Sequence, residues 1–351
     1  MKIFPTIFIV PTGIGCEVGG FAGDGSPTAK LLASASGCLI THPNVMNGGS
    51  LSELDEKIYY VEGFSLDKFA QSKIGLRKVS KQKIGIIFDW GMEDEILARH
   101  LQVADACRST LGIDIDSYVI TESSLGIEID QNKSLISNGI IKNPKTLIDA
   151  GKKLISNGAT AIAIVAKFPD QLTGQTLDSY RKGGGVDVIA GVEASISHII
   201  SKFFKVPCAH SPALQPIGIE YELDPRAAAE EIGYTFFPSV LIGLSKAPNL
   251  IEITDYFHPE DIHPDQVEAI VVPYGALGGE AVLACMERGK NVIAVKNKSV
   301  LNVENKYFNY QNLIEVENYL EAAGIILSLR RGIDFKSIKR PINSVRDYEI
   351  I

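Results

Sequence analysis

Apolar residues along this chain come in short β-branched runs separated by amphipathic stretches, and the alternation is almost unbroken. Residues 3–10, 38–41, 57–61, 83–88 and 117–121 read as strands in the first part of the chain, and 159–166, 186–190, 269–272 and Asn291–Val295 in the second. Several runs are apolar at every position, the pattern of strands covered on both faces of a parallel sheet. Helical spacing fills the gaps. Ser26–Ser36 has Ser26 placed as N-cap and Pro27 at the first position, and a helix capped by 89–94 runs to about Leu111, with Ile96, Leu97, Leu101, Ala104 and Leu111 roughly at helical intervals. Pro144–Ser156 stops at Asn157-Gly158, and further helices are expected over 192–204, 224–231, 239–246, 279–288 and 316–331. The proline-rich 249–265 stretch reads as a surface connection.

This order predicts an α/β protein with mainly parallel sheets and right-handed crossovers. Weak periodicity over 122–143 and the turn signal Asn138-Gly139 place a boundary there. The expectation is two Rossmann-like lobes, 1–125 and 126–351, with a ligand cleft between them.

One phrase occurs twice. Ile9-Val10-Pro11-Thr12-Gly13-Ile14-Gly15, with Gly19-Gly20 beyond it, is echoed by Val271-Val272-Pro273-Tyr274-Gly275-Ala276-Leu277-Gly278-Gly279. Each copy is a strand that opens through glycines toward a helix, where backbone N–H groups can meet an anion. Thr12, Gly13, Gly15, Gly19, Gly20, Gly275, Gly278, Gly279 and the helix-opening Glu280 are therefore candidate ligand contacts. Neither copy is a dinucleotide or phosphate-loop fingerprint, so no cofactor is named.

The 351 residues fit two α/β units, and 45% hydrophobic content with mean hydropathy +0.11 suits buried sheets. No run approaches a membrane span of about 20 residues, and no secretory leader pattern is seen. A cytoplasmic protein without a membrane partner is expected, and a homo-oligomer is left open. Net charge −8 disfavours nucleic acid. The five cysteines are odd in number and widely spaced, which suits reduced thiols rather than disulfides, and no ligand spacing supports a metal site.

Titratable residues cluster near the expected strand ends. His42 is a candidate acid/base, with Asn44 and Asn47 orienting a polar ligand, or else part of an Asn-capped turn. Asp89 is a base or a helix N-cap. Cys208 and His210, two apart in an extended segment, are a thiol–imidazole pair or a buried thiol beside a positioning histidine. Lys167, Arg181, Lys296 and Lys298 gather positive charge that suits an anionic ligand.

The segments VPTGIGCEVGGFAGDGSPTAKLLA, THPNVMN, IIFDWGMED, VPCAHSPAL, DPRAAAEEIGYTFFPSVLIGL and VVPYGALGGEAVLACMERGKNVIAV resemble domain of unknown function 3326, a family of cyanobacteria and plastid-bearing organisms. That resemblance implies no residue roles. A fainter similarity, through Asn157-Gly158-Ala159-Thr160-Ala161-Ile162-Ala163-Ile164, is to cofactor-independent aspartate/glutamate racemases and maleate isomerases. Their catalytic cysteines follow such strands, where this chain has Val165-Ala166-Lys167 and Pro273-Tyr274-Gly275. The functional expectation is acid/base chemistry on a small carboxylated or phosphorylated metabolite, of isomerase, lyase or hydrolase type, through His42, Asp89, Cys208 and His210. The alternative is a non-catalytic metabolite-binding or regulatory protein.

Overall fold

Three parallel strands open the fold: β1 (Thr6–Phe8), β2 (Leu39–Thr41) and β3 (Ile58–Tyr60), connected through α1 (Ser26–Ser36) and α2 (Pro43–Met46). The computed structural model describes residues 3–47, 55–129, 139–169, 175–184, 186–187, 189–213, 218–231 and 236–345. After β3 the chain leaves this sheet through α3 (Gly63–Ala70) and β4 (Ile74–Arg77). It then builds β5 (Ile84–Phe88), α4 (Asp94–Leu111), β6 (Ile115–Ile120), β7 (Ile127–Ile129), β8 (Gly139–Ile141) and α5 (Pro144–Ser156). Next come β9 (Ala161–Ala166), α6 (Gln175–Arg181), α7 (Ala190–Phe204), β10 (Cys208–Pro212), α8 (Pro225–Glu231), α9 (Phe236–Ser245) and β11 (Asn249–Glu252). The chain returns with β12 (Ala269–Pro273), α10 (Glu280–Glu287), β13 (Asn291–Val295), β14 (Leu313–Val316) and α11 (Tyr319–Arg331).

The protein is α/β with two large parallel sheets. The first has the order β14-β13-β12-β1-β2-β3 and the second β10-β9-β5-β6. In the first sheet β1 lies between β2 and β12, with Ile7 opposite Ile40 on one side and Ile270 on the other. The strand order reverses at the β1/β12 pair, the topological switch where open α/β sheets bind ligands. The second sheet reverses between β5 and β9. Small antiparallel ribbons, β4 with β11 and β7 with β8, complete the strands.

Alternation along the second sheet divides its side chains between two cores. Ile84, Ile86, Phe88, Ala161, Ala163 and Val165 join the larger core, which includes Phe8, Val271 and Ile293 of the first sheet. Ile87, Ile162 and Ile164 face a smaller core with Leu147, Ile196 and Ile200 of α5 and α7. Helix α9, apolar almost throughout, packs against the larger core. Phe237 is buried, 6.2 Å centroid to centroid from Phe88, and Gly243 lies against the Tyr60 ring. Any Cβ at Gly243 would sit 2.6 Å from that ring.

Helix stops follow their chemistry: α1, α4 and α11 end on left-handed Gly37, Gly112 and Gly332. The start of α1 differs from expectation. Gly25 is its N-cap, and Ser26 instead approaches the carbonyls of Val45 and Met46.

Sheet membership does not follow a cut at 125/126. The first sheet is made from both ends of the chain, and the second from its middle. The part of 186–190 that is described is not strand, because α7 already begins at Ala190, and β11 lies within the expected 249–265 connection. Asn138 of the Asn138-Gly139 turn, and Gly48, Gly49 and Gly185, lie outside the described residues.

Candidate functional site at the switch of the first sheet

Because β1 and β12 are parallel neighbours, both glycine loops leave the same sheet edge. The 13–24 loop folds tightly on itself. Gly13, Gly15, Gly19 and Gly23 have positive φ, and a Cβ on Gly20 would stand 2.1 Å from the Cys16 carbonyl oxygen. Two asparagines hold this loop. Asn44 Nδ2 donates to the carbonyls of Val10 and Gly19, both at 3.1 Å. Asn297 pairs with Val18 through both its amide groups, accepting from the N–H at 3.0 Å and donating to the carbonyl at 2.8 Å.

The second loop is covered by the 298–303 segment. Leu301 O lies 2.4 Å from where a Gly275 Cβ would be, and Val303 exchanges hydrogen bonds with Gly275 and Leu277. The other end of the same segment pairs with the first loop, Glu17 N donating to Lys298 O and Val300 N to Ile14 O. Glycine at 20 and 275 thus serves close packing of backbone on backbone.

Beneath this cover sits a polar group that the motif reading did not single out. The Cys16 thiol is 2% exposed and hydrogen-bonds Ser299, and burial pushes it up to about 12, so it stays protonated. Asn297 Nδ2 donates to Tyr319 Oη at 2.9 Å, and burial, with the charge of Asp24, raises the buried Tyr319 hydroxyl.

Asp24 is the group poised near neutrality. Burial raises its carboxyl to about 6, against the lowering pull of the Gly19 and Phe21 amides and of Arg226. Among the described residues its buried Oδ1 has no hydrogen-bond partner. Arg226 reaches the loop from the middle of the chain. It donates to Glu17 O at 3.1 Å and Gly183 O at 2.9 Å, pairs with Asp224, and lies 4.8 Å over the Phe21 ring. The available sequence signal was an aspartate between two glycines, Gly23-Asp24-Gly25, at a strand-to-helix junction.

The four expected catalytic residues each have partners or packing within the protein. His42 is buried, and its Nε2 accepts the Val10 N–H at 3.2 Å. Burial lowers it to about 4, so its ring is neutral. His210 Nδ1 pairs with Ser197 Oγ at 3.0 Å, and burial lowers it to about 3. Cys208 belongs to the smaller core, and burial raises its thiol well above the free value, which opposes a thiolate nucleophile.

Asp89 is 1% exposed and accepts the N–H groups of Gly91 and Leu125 at 3.1 Å and of Lys167 at 3.2 Å. It fastens the ends of β5 and β9 where the second sheet reverses. Burial raises its carboxyl, opposed by those amides.

The cations are matched as well. Lys167 pairs with Glu93, Lys296 with Glu317 and Lys298 with Glu17, the last loosely at 3.6 Å with a lysine side chain 89% exposed. Arg181 donates to Gly218 O. Asn47 accepts from Tyr60 Oη at 2.7 Å. Glu280 accepts from Gln71, and Ala281 N at the start of α10 donates to Asp67, so an internal carboxylate already sits at that helix end. Thr12, Gly13, Gly15, Gly19, Gly20, Gly275 and Gly278 share the switch edge; Asp89, Lys167, Cys208 and His210 belong to the second sheet or the turns that leave it.

The neutral His42 has a consequence for pH. Its folded value lies below the ordinary 6.5, so the unfolded chain binds the proton more tightly. Its contribution is full above 6.5 and is lost as pH falls toward 4. His42→Gln should lose less stability than the parent between pH 6.5 and 4, by roughly 3 kcal/mol at the acid end. Denaturant midpoints across that range check this; parallel pH curves would refute it.

Comparison with known proteins places the chain. The family profile described as Protein of unknown function (DUF3326) matches residues 5–339. A protein of Synechococcus sp. named an uncharacterised lipoprotein is 43% identical over 330 residues, covering 94% of this chain and 91% of that protein. The expectation of a cytoplasmic protein is corrected by that relative, which is named a lipoprotein. Among the described residues no helix is long and apolar enough to cross a membrane. A periplasmic sugar-binding protein of an ABC transporter from Legionella pneumophila aligns with 75% of this chain and 98% of its own at 12% identity, with TM-score 0.18, too low to argue from.

Proposed function

We propose that this chain, which belongs to the family described as Protein of unknown function (DUF3326), binds a small carboxylated or phosphorylated metabolite at the β1/β12 edge and moves a proton there through Asp24. The carrying observation is the Asp24 carboxyl, half-buried at the switch of a parallel sheet, near 6, with one oxygen unpaired. A carboxyl with that value exchanges its proton near neutral pH, which suits isomerisation, elimination or hydrolysis. Lys298, exposed and loosely paired, supplies attraction for an anion. Tyr319 and Asn297 supply polar groups beside it.

A second reading, metabolite binding without catalysis, is favoured by one observation: His42, Asp89, Cys208 and His210 are all committed to packing and internal hydrogen bonds. The two readings separate at Asp24. A thermal-shift screen with phosphorylated and dicarboxylic metabolites should find an anion that stabilises the protein, less so at high salt and in Lys298→Ala. Solvent deuterium should then enter that metabolite by NMR. In Asp24→Asn this exchange should fall by about 10²- to 10⁴-fold with binding kept. Binding without exchange supports the non-catalytic reading, and no stabilisation by any anion at millimolar concentration overturns both.

Asp24→Asn also carries its own check on folding. The folded carboxyl is raised, so its favourable contribution is present at low pH and lost as pH rises from 3.8 through about 6. The variant should be the more stable protein at pH 7, and that advantage should vanish below pH 4.

A further inference from the structure

The 298–303 segment, bent at Val300, lies against both glycine loops. Lys298, Val300 and Asn302 are exposed, whereas Ser299, Leu301 and Val303 are half-buried. One side of the segment therefore meets the loops and the other meets solvent.

Its attachments are few. At one end are the Glu17–Lys298 and Ile14–Val300 backbone bonds, and at the other the exchange between Val303, Gly275 and Leu277. Asn297, 5% exposed, anchors its start through Val18 and Tyr319. Ser299 hydrogen-bonds the Cys16 thiol below it. Segments with a handful of surface backbone bonds open at lower free energy than sheet cores.

We propose that 298–303 is a strap that closes the β1/β12 crevice, lifts about Asn297 to admit the metabolite, and uncovers Cys16 when it lifts. The inference rests on the crevice being the binding site. The strap explains two features together. The loops are packed against a cover that lies outside both large sheets and is held by the backbone bonds of Lys298, Val300 and Val303, the Ser299 bond to Cys16 and the packing of Leu301 on the larger core. It also puts Cys16, bonded to Ser299, behind a single movable element whose anchor Asn297 bonds Tyr319.

Cys16 makes the opening measurable without any metabolite, because the other four cysteines are buried elsewhere. Iodoacetamide labelling of the whole folded chain, read by peptide mass spectrometry, should modify Cys16 about tenfold faster than Cys208 and Cys285, which require core opening. Val300→Pro removes the N–H that reaches Ile14 and should speed Cys16 about tenfold further, leaving Cys208 and Cys285 unchanged.

Pinning the strap is the opposite test, and it covers the case in which the proline variant fails to fold. Glu17→Cys with Lys298→Cys, oxidised to a disulfide, should slow Cys16 labelling about tenfold relative to the same variant reduced. Cys16 labelling at the rate of Cys208 and Cys285 in the parent chain, or unaffected by the cross-link, overturns the strap. So does a Val300→Pro variant in which all three cysteines accelerate together. A failed metabolite screen alongside strap-dependent Cys16 labelling would overturn the proposed function instead, so the two failures are distinct.

Discussion

An Asp89→Ala variant is expected to unfold with about 4 kcal/mol less stability than the parent chain. The carboxylate collects three main-chain N–H groups from separate turns, Gly91, Leu125 and Lys167, and the Ser124 hydroxyl besides. Truncation removes their acceptor at a point 1% exposed, where water cannot readily replace it. Each stranded buried donor costs about 1–3 kcal/mol, partly offset because the carboxylate itself is no longer desolvated. Asp89→Asn keeps the Oδ1 acceptor shared by Gly91 and Leu125 and should lose about half as much. Urea unfolding checks both. A loss of less than about 1 kcal/mol in the alanine variant would mean the carboxylate does not organise the second sheet's switch.

Gly20→Ala should be the most damaging single methyl in the first sheet's loops, at about 3 kcal/mol or more. Its Cβ would stand 2.1 Å from Cys16 O, and the obstacle is backbone rather than the end of a flexible side chain. Relief requires moving the 13–24 loop, whose position is fixed from outside by Asn44, Asn297 and Arg226. Gly279→Ala is the control. The nearest atom to its Cβ is Val282 Cγ2 at 3.9 Å, so it should be close to neutral. Thermal unfolding of the pair decides the matter: equal midpoints would show that the loop relaxes without cost.

Much of the fold was legible because buried parallel strands and capped helices leave strong local marks. Pro144–Ser156 and Asn291–Val295 have the expected bounds, one set by proline and Asn-Gly, the other by an all-apolar core. The repeated Val-Pro-x-Gly phrase pointed to one sheet edge, and its two copies follow neighbouring strands. Long-range organisation was less visible. Nothing local in β12 says that it pairs with β1 rather than with β10, so a boundary drawn by position along the chain could not anticipate a sheet made from both ends.

Site residues were harder for a related reason. His42, Asp89, Cys208 and His210 drew attention by type and by proximity to strand ends. Their burial, and the Val10, Lys167 and Ser197 partners that occupy them, depend on contacts distant in sequence. Asp24 looked like one more turn residue, and its environment depends on burial, on the Gly19 and Phe21 amides of its own loop and on Arg226, which reaches it from the middle of the chain.

The central place of β1 bears on how this polypeptide can be processed. Cleavage just before Cys16 would remove the preceding residues. That cut would excise β1 and leave β2 and β3 with no partner strand to join them to β12, because β1 is bonded to both neighbours. A chain trimmed to this point thus cannot keep its first sheet intact.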